Sequence, residues 1–200
     1  MFSNGGNYGL PVVLFAFGTD ALSYATVYFV TSSTLTYTVG VFLAAAGRRS
    51  APQAVTGIAK VSAIYGVAAG LLFLASGISV PMAAMRPIGL LSDAALPMMI
   101  LVLGMQLERA RVAERLPVVA VAVGLSLVVA PVVALGLTSF LGLSGAARQS
   151  GVILASMPVA VLTTILALEF DVAPAFVTNT FFISTLLSPL TLTPLIAYLR

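Results

Sequence analysis

Long apolar runs separated by short polar clusters make up almost the whole chain. Dividing it at charges and at proline- or glycine-rich clusters leaves seven runs, roughly 2–18, 21–46, 57–77, 86–107, 117–141, 148–169 and 173–199. A helix needs about 20 mostly apolar residues to cross the hydrocarbon core of a bilayer. These runs are too long and too uniformly apolar for the alternating strands of a membrane barrel. The pattern therefore predicts an all-α, polytopic membrane protein with seven transmembrane segments and no soluble domain.

Composition agrees and removes several functions. Hydrophobic residues make up 60% of the chain, charged residues 8%, and the mean hydropathy is +1.13. Nine basic against six acidic residues give a net charge of +3, spread between the runs and not gathered into a block that would grip nucleic acid. With no cysteine and no histidine, disulfides, thiolate metal sites and the commonest general base are all missing, and neither a metal nor a cofactor is expected. "GLSG" at Gly142–Gly145 has the form of an intramembrane serine nucleophile, but no histidine exists to take the serine proton. Asp93 has no second intramembrane aspartate for a paired-carboxylate protease, so an enzyme is not expected.

Basic residues also orient the chain. Arg48, Arg49, Lys60, Arg109, Arg111 and Arg115 fall on one side, and Arg86, Arg148 and Arg200 on the other. The richer side reads as cytoplasmic, in a multi-pass protein of the plasma or inner membrane. The first 30 residues carry no secretory leader pattern.

Two of the runs contain a similar interruption. The first has Pro11 behind "NGGNYGLP", and the sixth has Pro158 behind Ser150, Gly151 and Ser156. A mid-helix proline removes a backbone hydrogen bond and crowds the carbonyl four residues back, so the freed groups must meet protein, water or a ligand. A simple kink would account for either proline alone. The residues downstream of the two prolines are also alike: Tyr28-Phe29-Val30-Thr31-Ser32 aligns by type with Phe181-Phe182-Ile183-Ser184-Thr185. Units five spans apart run in opposite directions, which is the inverted-repeat plan of secondary transporters with a substrate site at the midplane.

The stretches "NGGNYGLPVVLFAFG", "LSDAALPMMILVLGMQLE" and "ASMPVAVLTTILALEFDV" together resemble the auxin efflux carrier family of membrane transporters. The resemblance implies ten helices in two inverted five-helix repeats, with broken fourth and ninth helices crossing near the centre. On that plan Pro11 and Pro158 mark the two crossover breaks, and Asn4 matches the family asparagine near the anion site. Residues 1–46 would be the remnant of the first repeat, 47–56 a cytoplasmic loop and 57–200 a complete second repeat, with the family's first three helices absent from this sequence.

Each break should present the positive end of a half-helix, which suits an anion. Asn4 and Asn7 can donate to a carboxylate without adding a permanent charge, and Gly9 lets backbone amides approach. The substrate-binding candidates are Asn4, Asn7, Gly9, Pro11, Ser156, Pro158 and Asn179, although Asn4 and Asn7 suit helix capping too, and Asn179 suits a bond to a neighbouring helix. Asp93, an ionisable group inside a span, is the candidate for a coupling proton or sodium; an alternative places it at the outer boundary in water. Hydroxyls from Thr31 to Thr38 read as structural, bonding backbone carbonyls. Gly66 and Gly70 have the spacing of a helix contact that would serve a homodimer.

Secondary transport of a small organic anion, such as malonate, malate or an indole carboxylate, is the leading expectation. A passive channel and a structural membrane protein without transport are the alternatives.

Overall fold

A computed structural model describes residues 2–36, 39, 62–78, 80–108, 116–169 and 172–200, and among them the backbone is helical almost throughout. The loop at 47–56, Lys60, Arg109, Arg111, Arg115 and Asp171 lie outside the described residues. A widened turn at Gly5–Gly9 leads into α1 (Leu10–Leu35), followed by α2 (Ser62–Ser76) and α3 (Met82–Glu108). After these come α4 (Leu116–Phe140), α5 (Gly145–Ala155), α6 (Val161–Glu169) and α7 (Pro174–Leu199). Three stretches among the described residues are long and apolar enough to cross a membrane on their own: Gly5–Leu35, Leu116–Phe140 and Pro174–Leu199. The expected sixth span is divided instead between α5 and α6, neither long enough to span alone.

Two boundaries differ from the sequence expectation. The break expected between the runs 2–18 and 21–46 falls on a single residue, Gly18, at φ 84° and ψ −170°, and Asp20 after it is helical. Only glycine adopts that conformation readily. Nothing lies within 4 Å of where a Cβ on Gly18 would sit, so backbone strain alone decides the cost of a substitution. Gly18→Ala is expected to lower stability by about 1–3 kcal/mol, seen as a lower unfolding temperature of the detergent-solubilised protein. An unchanged temperature would show that α1 does not need this conformation.

Pro11 is the second difference. It follows the widened turn Gly5–Gly9 as the second residue of α1, and the helical run continues through it from Gly5 to Leu35, so it ends no helix. Loosening the preceding turn relieves the crowding of its ring.

The chain divides into two compact units. Met1–Phe29 and Met99–Arg200 form one, and Val30–Met98 forms the other. In the second unit, α2 ends at Ser76, Gly77 comes next with φ 66°, and α3 restarts after Pro81, whose carbonyl accepts from the Ala84 and Met85 N–H groups. Gly66, Gly70 and Asp93 are exposed there.

The first unit has a buried apolar core. On α4, Val119, Val123 and Leu127 recur every fourth residue and form one buried stripe that packs on Phe176 and Ile183 of α7. Beside it, Val159 and Phe181 are buried together with Tyr8 and Val161 against them. Large apolar side chains such as Phe15, Val132, Phe140 and Leu190 stay on the outside. Such a surface would associate in water but matches a lipid environment.

Candidate functional site

Between α5 and α6 the chain leaves the helix around Pro158 and runs extended beside residues Phe2 to Asn4. Ser3 and Val159 face each other as an isolated antiparallel bridge. The Asn4 N–H donates to the Pro158 carbonyl at 2.7 Å, and the Ala160 N–H donates to the Phe2 carbonyl at 2.8 Å. The break at Pro158 therefore meets the segment that leads into the first helical run, joined main chain to main chain and running in opposite directions. The first arm is Phe2 to Gly9 leading into α1, and the second is α5, the break and α6.

A proline inside an apolar region leaves backbone groups that something must satisfy. Here nearly all partners come from neighbouring elements. Ser126 Oγ on α4 donates to the Met157 carbonyl at 3.3 Å, just before the proline. The Val159 N–H, just after it, donates to Ser184 Oγ on α7 at 3.1 Å. Ser156 Oγ turns back to the Val152 carbonyl at 2.6 Å, closing the end of α5. The N–H groups of Val159 and Ala160, just after the proline, are thus already committed within the protein.

The donors left at the first arm lie elsewhere. Its widened turn begins with the Gly9 N–H donating to the Asn4 carbonyl at 3.0 Å, so Gly6, Asn7 and Tyr8 carry first-turn N–H groups with no helical carbonyl upstream. Asn4 is only 5% exposed, and its Nδ2 is buried with no hydrogen-bond partner. A buried amide donor without an acceptor is destabilising by roughly 1–3 kcal/mol, which makes Asn4 a candidate donor to a ligand. Thr164 Oγ1, in the first turn of α6, and Thr185 Oγ1 on α7 are also buried without partners.

The structure gathers most of the expected site residues in this first unit. Asn4, Gly9, Pro11, Ser156, Pro158 and Asn179 are buried there, and Asn7 is half-buried. Asn179 is not without a partner. Asp93 belongs to the other unit and is exposed on α3. Of the hydroxyls in the second run, Thr34 and Thr36 donate to the carbonyls of Val30 and Ser32, in line with a structural role.

A cavity of about 340 Å³ lies next to the crossing, lined by Ser3, Ala122, Leu125, Ser126, Ala130 and Ala155. Its α4 wall is the segment Leu125–Val129, where the helix widens by one residue per turn and the Ala130 N–H donates to the Leu125 carbonyl. Pro131 comes two residues after it, and loosening the preceding turn relieves the crowding of its ring. Sequence reasoning passed over this segment and Ser126, although Pro131 was the available signal.

The chain also matches known proteins. Residues 48–196 match the family model described as Membrane transport protein. An uncharacterized transporter of Methanothermobacter thermautotrophicus is 31% identical over 190 residues, which is 92% of this chain and 61% of that protein's own length. No solved structure matches the chain. The helical membrane architecture and the family match together make this chain a member of the auxin efflux carrier family of membrane transport proteins.

Proposed function

We propose that the protein binds a small organic anion at the crossing of its two arms and carries it through the membrane by alternating access. The observation that carries this reading is the buried, unpartnered Nδ2 of Asn4, placed where the first arm is hydrogen-bonded to the second. First-turn amides of Gly6, Asn7 and Tyr8 add positive potential without a fixed charge. A neutral donor set of this kind holds a carboxylate while still allowing it to leave, which a transporter requires. The cavity of about 340 Å³ has the size of a small-ligand pocket, and its walls are mostly alanine and leucine with two serines.

Transport would proceed in the cell membrane with the richer basic side facing the cytoplasm. Asp93 is the proposed coupling group, since a carboxylate inside a membrane helix is rarely without a role. Counterflow decides between a carrier and a passive pore. Proteoliposomes containing the complete protein and loaded with malonate are expected to accumulate labelled malonate saturably from outside. Flux that is linear in concentration and shows no counterflow would reject the carrier. In the same vesicles Asp93→Asn is expected to flatten the pH dependence of uptake, and an unchanged profile would remove Asp93 from the coupling step.

A further inference from the structure

Four residues of α7 face inward at helical spacing: Thr180, Ser184, Thr185 and Ser188 are all buried. Hydroxyls on membrane helices ordinarily bond to carbonyls of their own helix, and these do so in part. Ser184 Oγ donates to the Phe181 carbonyl at 3.0 Å, and Ser188 Oγ donates to the Thr185 carbonyl at 2.8 Å. The latter has a local cause, because Pro189 has no N–H to give the carbonyl four residues back. What local bonding does not explain is that each serine has a second partner on a different arm of the crossing. Ser184 Oγ accepts from the Val159 N–H of the second arm at 3.1 Å. Ser188 Oγ is hydrogen-bonded to Tyr8 OH of the first arm at 3.1 Å. With the Ser188 proton directed to the Thr185 carbonyl, the Tyr8 phenol is the donor in that bond.

We infer that Ser184 and Ser188 are positioning residues: one face of α7 grips each arm of the crossing through a hydroxyl four residues from the other. The inference rests on the proposed transport site for its functional part. Neither serine needs to touch the substrate. Their task is to set the angle and register at which the arms meet, so that the first-turn amides of the first arm and the Asn4 amide keep one arrangement. The Val159 N–H has no other acceptor among the described residues, so Ser184 ties this amide to α7 while the backbone bonds to Phe2 and Asn4 tie its neighbours to the first arm.

Hydrogen exchange and uptake together test this with the complete protein in lipid. Ser184→Ala is expected to speed amide exchange in the segment Met157–Ala160 roughly tenfold, the effect of one lost buried hydrogen bond. Ser184→Thr, which keeps the acceptor, is expected to restore slow exchange. Tyr8→Phe keeps the ring packing and removes only the hydroxyl, so it tests the other grip in a fold that stays intact. Both Ser184→Ala and Tyr8→Phe are expected to raise the apparent KM for labelled malonate several-fold. Ser139→Ala, whose hydroxyl bonds only to the Leu135 carbonyl on an exposed face, is expected to change neither readout. Wild-type exchange in Ser184→Ala, or wild-type KM in both variants, would overturn the inference. If the unmodified protein carries no malonate while Ser184→Ala still quickens exchange and threonine reverses it, the grip on the second arm stands and the transport reading fails.

Discussion

Asn4→Ala is expected to weaken malonate binding by about ten- to a hundredfold, corresponding to a hydrogen bond of roughly 1.5–3 kcal/mol to a charged acceptor. It is also expected to leave the unfolding temperature of the ligand-free protein unchanged or slightly raised. Both halves come from one observation: Nδ2 is buried and makes no hydrogen bond in the fold, so its removal costs the free protein nothing. A residue kept only for structure would show the reverse, with lower stability and unaltered binding. Asn4→Asp should be more damaging to binding, because a buried carboxylate would face the substrate's own negative charge. Titration of labelled malonate into the complete protein in nanodiscs, with a thermal melt of the same sample, reads both quantities. Wild-type affinity in Asn4→Ala would move the anion site away from the crossing.

Gly9→Ala is the substitution expected to disturb the crossing most. A Cβ on Gly9 would run into the Leu154 side chain and sit 3.1 Å from Met157 Cγ, and both residues belong to the second arm. Overpacking of this kind costs about 1–3 kcal/mol, and here the displacement bears on the backbone bonds that join the arms. Leu154 Cδ2 is the end of a flexible side chain and can move, whereas Met157 Cγ is close to its own backbone at the break. Leu154→Ala alone is expected to destabilise by about 2–5 kcal/mol. Combined with Gly9→Ala it should cost clearly less than the sum, because it removes the principal clash. Strict additivity in chemical unfolding would show that the close approach of Gly9 to Leu154 is not what limits the substitution.

Much of the fold was legible because hydropathy in a membrane chain is a strong and simple signal. The starts of α4 and α7 lie within a residue of the apolar runs that predicted them. Pro158 was legible as a break because its missing N–H has no alternative in hydrocarbon, and the chain does leave the helix there. Pro11 misled, because a proline in a helix can be absorbed by a widened turn before it, and here Gly5–Gly9 takes up the strain without ending the helical run. Gly18 was hidden behind Asp20, whose charge suggested the turn that a glycine two residues earlier makes.

The contacts at the site were less accessible for a physical reason. The bridge between Ser3 and Val159 uses main-chain groups that every residue has, so no side chain announces it. Hydroxyls posed the opposite difficulty, since there are many and most do the same local thing. Ser23 and Thr26 donate to carbonyls four residues back in α1. Ser126, Ser184 and Ser188 look identical to them in sequence, and only tertiary placement shows that they reach another element.

Ser3 contributes to two things at once through different atoms. Its main chain lies in the bridge that joins the arms, while the residue also lines the cavity beside them. On the transport reading proposed above, selectivity and framework would be separable at this position. Side chains of other sizes at residue 3 would reshape the cavity with the main-chain joint left in place. Retuning such a carrier would begin at a residue whose contribution to the joint comes from its main chain.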